Sequence, residues 1–156
     1  MTAVDGVTFE DFQVGQEFLT VGVTVTETHL VNWANLTGDW YPLHMDEEFA
    51  REHSEFGRRL VHGPFVFALS VGLIEKANVL GHSVIAWLGT DEMRAKLPVF
   101  IGDTLSVRAT VVEARRSRSD PGRGIVTLLY EAHKHGGEIV MSFRSTLMIR
   151  AGQAAA

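Results

Sequence analysis

Two side chains in "LTGDWYPLHMDEEFA", residues 36–50, have the chemistry to move protons: Asp39 and His44. A carboxylate and an imidazole on either side of Trp40-Tyr41-Pro42-Leu43 form an acid/base pair whose spacing a stiff loop would preset. Gly38 and Pro42 argue against a regular helix through the segment, so a loop is expected to carry both groups. The same residues also fit a plain turn between two helices, with Asp39 solvated and His44 packed for no chemical purpose.

A third chemical element follows in "RRLVHGP", residues 58–64, which delivers the chain to the start of an apolar segment. A helix start carries unpaired N–H groups and a partial positive charge, suited to a developing oxyanion. Pro64 has no N–H, so Gly63 is the expected donor. A carboxylate, an imidazole and a backbone donor make a coherent site for proton transfer beside a carbonyl.

The elements that must hold these groups can be read from the pattern. Residues 18–26 alternate β-branched residues and read as a strand. Thr26 or Thr28 is placed to cap a helix that Gly38 would stop, and Asp46 opens a short helix through "DEEFAREH". Residues 63–81, "GPFVFALSVGLIEKANVLG", begin Gly-Pro, end in Gly and are apolar nearly all round. Such a helix must be buried, and a curved sheet is the natural cover in a small domain. From residue 82 on, four strands are expected: "SVIAWLGTDEMRAKL", bulged near Gly89-Thr90, then "LSVRATVVEARRS", "IVTLLYEAHKH" and "IVMSFRSTLMIR". "AGQAAA" reads as a frayed tail. The fold class is α+β: an antiparallel sheet wrapped around a long central helix, with open edges that invite a dimer.

Composition narrows the functions. The 156 residues make one domain, with 46% hydrophobic and 21% charged residues. The absence of cysteine excludes disulfides, thiolate nucleophiles and cysteine-ligated metal. No apolar run is long enough to span a membrane, and the acidic N-terminus does not read as a signal peptide, so a soluble cytoplasmic protein is expected. The net charge of -5 argues against nucleic acid. That charge is unevenly spread, with eleven acids and one base in residues 1–57 but ten bases and six acids in residues 58–123. The basic middle suits an anionic ligand such as a phosphate, or else pairs with the acidic first third.

At this point the chain resembles a known family. "LTGDWYPLHMDEEFA" is similar to the hydratase-2 signature of MaoC-like (R)-specific enoyl-CoA hydratases, with Gly38, Asp39, Pro42, Leu43, His44 and Ala50 matching in order and spacing. "RRLVHGPFVFALSVGLIE" resembles the entry to that family's central helix, and "LPVFIGDTLSV" the entry to its later strands. The resemblance spans about residues 9–150 and implies a single hot-dog domain. It further implies reversible hydration of a trans-2-enoyl-CoA to an (R)-3-hydroxyacyl-CoA. Asp39 and His44 would be the catalytic dyad and Gly63 N–H the oxyanion donor. The acyl-CoA is then substrate, with no cofactor and no metal, and a homodimer is the implied assembly. An acyl-carrier-protein thioester, with this chain as one subunit of a complex, is the alternative substrate. A non-catalytic acyl-thioester binder is disfavoured because it has no use for the dyad.

Two departures stand out. The family Asn two residues after the Asp is Tyr41 here, and a Ser often found eight residues after the helix-start Gly is Val71, with Ser70 one step earlier. Candidate substrate contacts are Tyr41, Pro42, His62, Phe65 and Arg94. Trp33, Phe67 and Trp87 are candidates for an acyl pocket or plain core, and Lys96 joins Arg94 as a possible phosphate contact. His133 and His135 share a strand face but lack a third ligand. Glu75 lies too far along the helix to serve a thioesterase well. No dinucleotide, phosphate-loop or Gly-x-Ser-x-Gly motif is present.

Overall fold

The computed structural model describes residues 6–152. Of the tail expected to fray over 151–156, Ala151 is buried and donates to Gly122 O at 2.9 Å, and Gly152 N–H donates to Glu10 at 2.8 Å, so these two are docked. Residues 153–156 lie outside the described residues. After a 3-10 turn at Phe9–Asp11, two short strands, β1 (Glu17–Leu19) and β2 (Val23–Thr24), stand where one strand over 18–26 is expected. Both lie along β4 (Thr104–Arg116), and the chain breaks between them where Gly22 presses on Thr104. A Cβ at Gly22 would sit 2.8 Å from Thr104 Cγ2, so the crossing needs glycine.

Helices α1 (Glu27–Thr37), α2 (Pro42–Met45), α3 (Glu47–His53) and α4 (Gly63–Lys76) follow. α1 starts after Thr26 and stops at Gly38, whose φ of 78° is left-handed as the stop requires. Asp46 caps α3 by accepting from Phe49 N–H at 2.9 Å. One expectation needs correction: the loop after Gly38 contains the one-turn helix α2, because Pro42 occupies its first position, where a missing N–H does no harm. α4 also ends at Lys76 rather than running to Gly81, since Asn78 turns the chain with φ 54°.

The sheet is antiparallel, in the order β1-β4-β5-β6-β3, with β3 (Val84–Ala95), β5 (Arg123–Lys134) and β6 (Ile139–Arg150). Alternation along the strands aims Leu105, Val107, Ala109 and Val111 of β4, Val126, Leu128 and Tyr130 of β5, and Phe143, Leu147 and Ile149 of β6 at the core. α4 lays Val66, Ser70, Leu73 and Ile74 against that surface. Tyr130 stacks on Phe143 at 4.7 Å, and Phe67 meets the same Phe143 edge-on at 4.8 Å. This is the expected hot-dog arrangement of a curved sheet around a central helix. β3 carries the expected bulge between Trp87 and Gly89, and two further register shifts.

The helix is less enclosed than its sequence implies. Phe67, Ala68, Leu69 and Val71 remain half-exposed on the flank of α4. Among the described residues β3 pairs only with β6, and its Ile85, Trp87, Leu88 and Met93 are exposed. Among the described residues no helix is long and apolar enough to cross a membrane.

Candidate active site

Asp39 lies between the end of α1 and the start of α2. The left-handed Gly38 reverses the chain, and Tyr41 N–H reaches back to Asp39 Oδ1 at 3.4 Å. His44 sits in the single turn of α2, with its N–H bonded to Tyr41 O at 2.9 Å. Its ring is fixed from outside that turn: Nδ1 lies 2.8 Å from the main-chain oxygen of Leu60. A carbonyl oxygen can only accept, so Nδ1 carries the hydrogen and Nε2 keeps a free lone pair. The fold therefore presents His44 as a base. Leu60 N–H returns a bond to Leu43 O at 3.2 Å, so α2 and the 58–62 segment are stitched together at two points.

His62 completes the cluster. It is fully buried, its Nε2 meets the Asp39 main-chain oxygen at 3.0 Å, and its ring lies 4.1 Å from that of His44 at 31°. The same acceptor argument places a hydrogen on Nε2 and leaves Nδ1 buried without a partner. Burial holds the His62 imidazole below its usual range; the Asp39 carbonyl opposes that shift and the nearby His44 adds to it. Asp39, His44 and His62 each offer a ligand atom, all within 4.8 Å of one another, so this trio is where a metal ion would find donors.

Gly63 opens α4 directly after His62, and no side chain caps this helix end. Among the described residues the Gly63 N–H has no hydrogen-bond partner. Gly63 and His44 share a cavity of about 330 Å³, walled by Phe56, Leu60, Val66, Leu97, Val99 and Met141. The base and the free donor thus face one apolar space, where a hydrogen bond to developing charge is strongest.

Arg59 braces this assembly. Its guanidinium pairs with Glu27 of α1 through two hydrogen bonds, at 2.5 and 3.0 Å, and with Glu47 of α3 at 2.9 Å. The next residue is Leu60, which holds His44. Arg59 raises its own basicity through these partners and holds the Glu27 carboxyl below its usual range. A depressed carboxylate stabilises the fold above its unfolded value and loses that contribution as pH falls through the folded one. Arg59→Ala is therefore expected to destabilise the protein by about 1–2 kcal/mol near neutral pH. The gap to wild type should narrow below the ordinary carboxylate range, as read by urea melts at the two pH values.

The other sequence candidates scatter. Tyr41 and Pro42 stand exposed beside Asp39 and His44, the Tyr41 ring 6.1 Å from that of His44. Phe65 points instead toward α1, against Trp33 at 5.9 Å and His29 at 5.6 Å. Arg94 is exposed and bonds to Met93 O, whereas Lys96 lines the cavity shared by His44 and Gly63. Phe67 and Trp87 line a second cavity, of about 430 Å³, with Ala68, Val71 and Leu147. Ser70 donates its hydroxyl to Val66 O at 2.7 Å, within its own helix. His133 bonds Gly137 O near its hairpin. Several bases of the middle section pair with the acidic first third: Arg59 with Glu27 and Glu47, Arg108 with Glu17, Arg116 with Glu10. The Arg59 pairs meet the expectation that the basic middle pairs with the acidic first third. Sequence reasoning missed the Leu60 carbonyl, for which no local signal exists.

The profile described as "MaoC like domain" matches residues 11–132. A mesaconyl-CoA hydratase of Haloarcula marismortui is 33% identical over 144 residues, covering 90% of this chain and 39% of that protein. An (R)-specific enoyl-CoA hydratase of Aeromonas caviae is 32% identical over 110 residues, covering 70% of this chain and 75% of that one. The solved MaoC-like dehydratase from Rhodospirillum rubrum superposes with a TM-score of 0.81 at 29% identity, covering 96% of this chain and 100% of that one. The chain spans only 30% to 39% of the length of its longer curated relatives. It belongs to the MaoC-like family.

Proposed function

We propose that this member of the MaoC-like family catalyses the reversible hydration of a trans-2-enoyl-CoA to an (R)-3-hydroxyacyl-CoA. The observation that carries the reading is the His44 ring. Leu60 takes its Nδ1 hydrogen and leaves Nε2 free, in a ring that lies close to Asp39 and shares a cavity with the uncapped α4 start.

The chemistry follows from those parts. A water held between His44 and Asp39 attacks C3 while His44 Nε2 takes one of its protons. Asp39 gives a proton to C2 on the same face, and the proton on His44 then passes to Asp39, closing the cycle with one water consumed. Charge that builds on the thioester oxygen is met by Gly63 N–H and the helix end. No step needs a cofactor.

Lys96 at the cavity wall and the exposed Arg94 nearby supply positive charge for the phosphates of CoA or of a carrier-protein arm. The unpaired edge of β3, with Ile85, Trp87 and Leu88 exposed, favours a homodimer formed along that strand.

The test is the loss of enoyl-thioester ultraviolet absorbance with crotonyl-CoA. The expected result is turnover by the purified protein, with chiral analysis of the product giving the (R)-alcohol. Turnover only with the crotonyl carrier-protein thioester would move the substrate to that class. No turnover of either by folded protein would remove the reading.

A further inference from the structure

We infer that His62 is a positioning residue for the acid/base pair, tethering Asp39 through its main chain while backing the His44 ring. This rests on the hydratase reading above.

Three observations carry it. First, His62 touches both members of the pair: Nε2 lies 3.0 Å from Asp39 O, and the ring lies 4.1 Å from that of His44. It also leads directly into Gly63, so one residue borders acid, base and backbone donor. Second, the tether is the shortest bond on Asp39. Its other local contacts are long: its N–H to Thr37 Oγ1 at 3.3 Å, and Oδ1 from Tyr41 N–H at 3.4 Å. Without the imidazole the acid would be held by its two weakest contacts.

Third, the ring is a poor choice for packing alone. It is fully buried, and its second nitrogen has no partner. A buried polar atom left unpaired is unfavourable, and a phenyl ring would fill the space without that penalty. The polar edge that does find a partner finds Asp39.

The same geometry explains how catalysis depends on a residue that does not line the cavity. His44 is fixed by Leu60 and Asp39 by His62, and Leu60 and His62 flank a single residue, Val61, which is pinned by Val61 N–H to Val99 O at 2.8 Å. The acid just before α2 and the base within it are therefore referenced to one short stretch of chain. A small displacement of one reacting group relative to the other is enough to slow a reaction by about 100-fold.

The experiment compares wild type with His62→Phe and His62→Gln. Phe keeps a ring against His44 and loses the tether; Gln places an amide N–H where Nε2 stood and loses the ring. For His62→Phe, kcat for crotonyl-CoA is expected to fall by about 10- to 100-fold with KM changed by less than about threefold. His62→Gln is expected to recover most of the loss, which a purely structural role would not give. In nitrogen–proton correlation spectra, the amides of Trp40, Tyr41 and His44 should move in Phe and return toward wild type in Gln. Wild-type kcat in folded His62→Phe, or unmoved amides, overturns the inference. If wild type itself turns over no thioester, the hydratase reading falls, and the amide shifts still decide whether His62 positions Asp39.

Discussion

Asp39→Asn is expected to lower kcat/KM for crotonyl-CoA by about 10²- to 10⁴-fold, the range typical for removing a positioned general acid or base. The substitution keeps the side-chain shape, and among the described residues the only bond of the carboxylate is the 3.4 Å contact from Tyr41 N–H. An amide oxygen can accept that same hydrogen, so melting should be unchanged. His44→Ala should lose a comparable factor, because the free Nε2 disappears with the ring. It should also loosen α2 slightly, since the Leu60 carbonyl loses its donor. The double variant is the sharper test. Two groups that hold one water act as a unit, so removing both should be little worse than removing either. Fully multiplied losses would mean that Asp39 and His44 serve separate steps. Folded Asp39→Asn within about tenfold of wild type would place the chemistry elsewhere.

Much of this architecture is legible in the chain because its signals are local. Polar turns between the strand-forming runs mark off β4, β5 and β6, the αL glycine at Gly38 ends α1, and the Gly63-Pro64 pair starts α4. What escapes is set by contacts over long separations. Spacing alone brings Asp39 and His44 near each other, yet the bond that makes His44 a base comes from Leu60, sixteen residues on, and the one that anchors Asp39 from His62, twenty-three on. Both use main-chain oxygens, which every residue has, so no side-chain type announces them. Pro42 misleads for a related reason: the rule that proline breaks helices holds for interiors, and here it begins one. Nor does the all-round apolar character of α4 mean that its own sheet covers it, because Phe67, Ala68 and Val71 stay half-exposed in a single chain.

Gly63→Ala should separate the oxyanion donor from the fold that displays it. Gly63 does not adopt the left-handed conformation, and a Cβ there would meet nothing within 4 Å, so alanine fits without strain. Replacing glycine at a compatible position also removes freedom from the unfolded chain, which is typically worth about 0.4–1 kcal/mol of added stability. The empty space the methyl would enter is the reason for the expected loss of activity. Gly63 lines the cavity it shares with His44, and its N–H has no protein partner. A thioester oxygen must approach through that space to reach the N–H. With the methyl in the way, kcat should fall by about 10²- to 10³-fold, as when an oxyanion donor is removed. The loss should exceed any change in the affinity of a saturated acyl-CoA, because charge on the oxygen is greatest in the transition state. A variant that melts higher and turns over slower fits a helix start kept bare for a ligand. One that melts higher with full kcat would mean that the thioester oxygen is stabilised by another group, and the Asp39–His44 pair would then need a different partner for the same reaction.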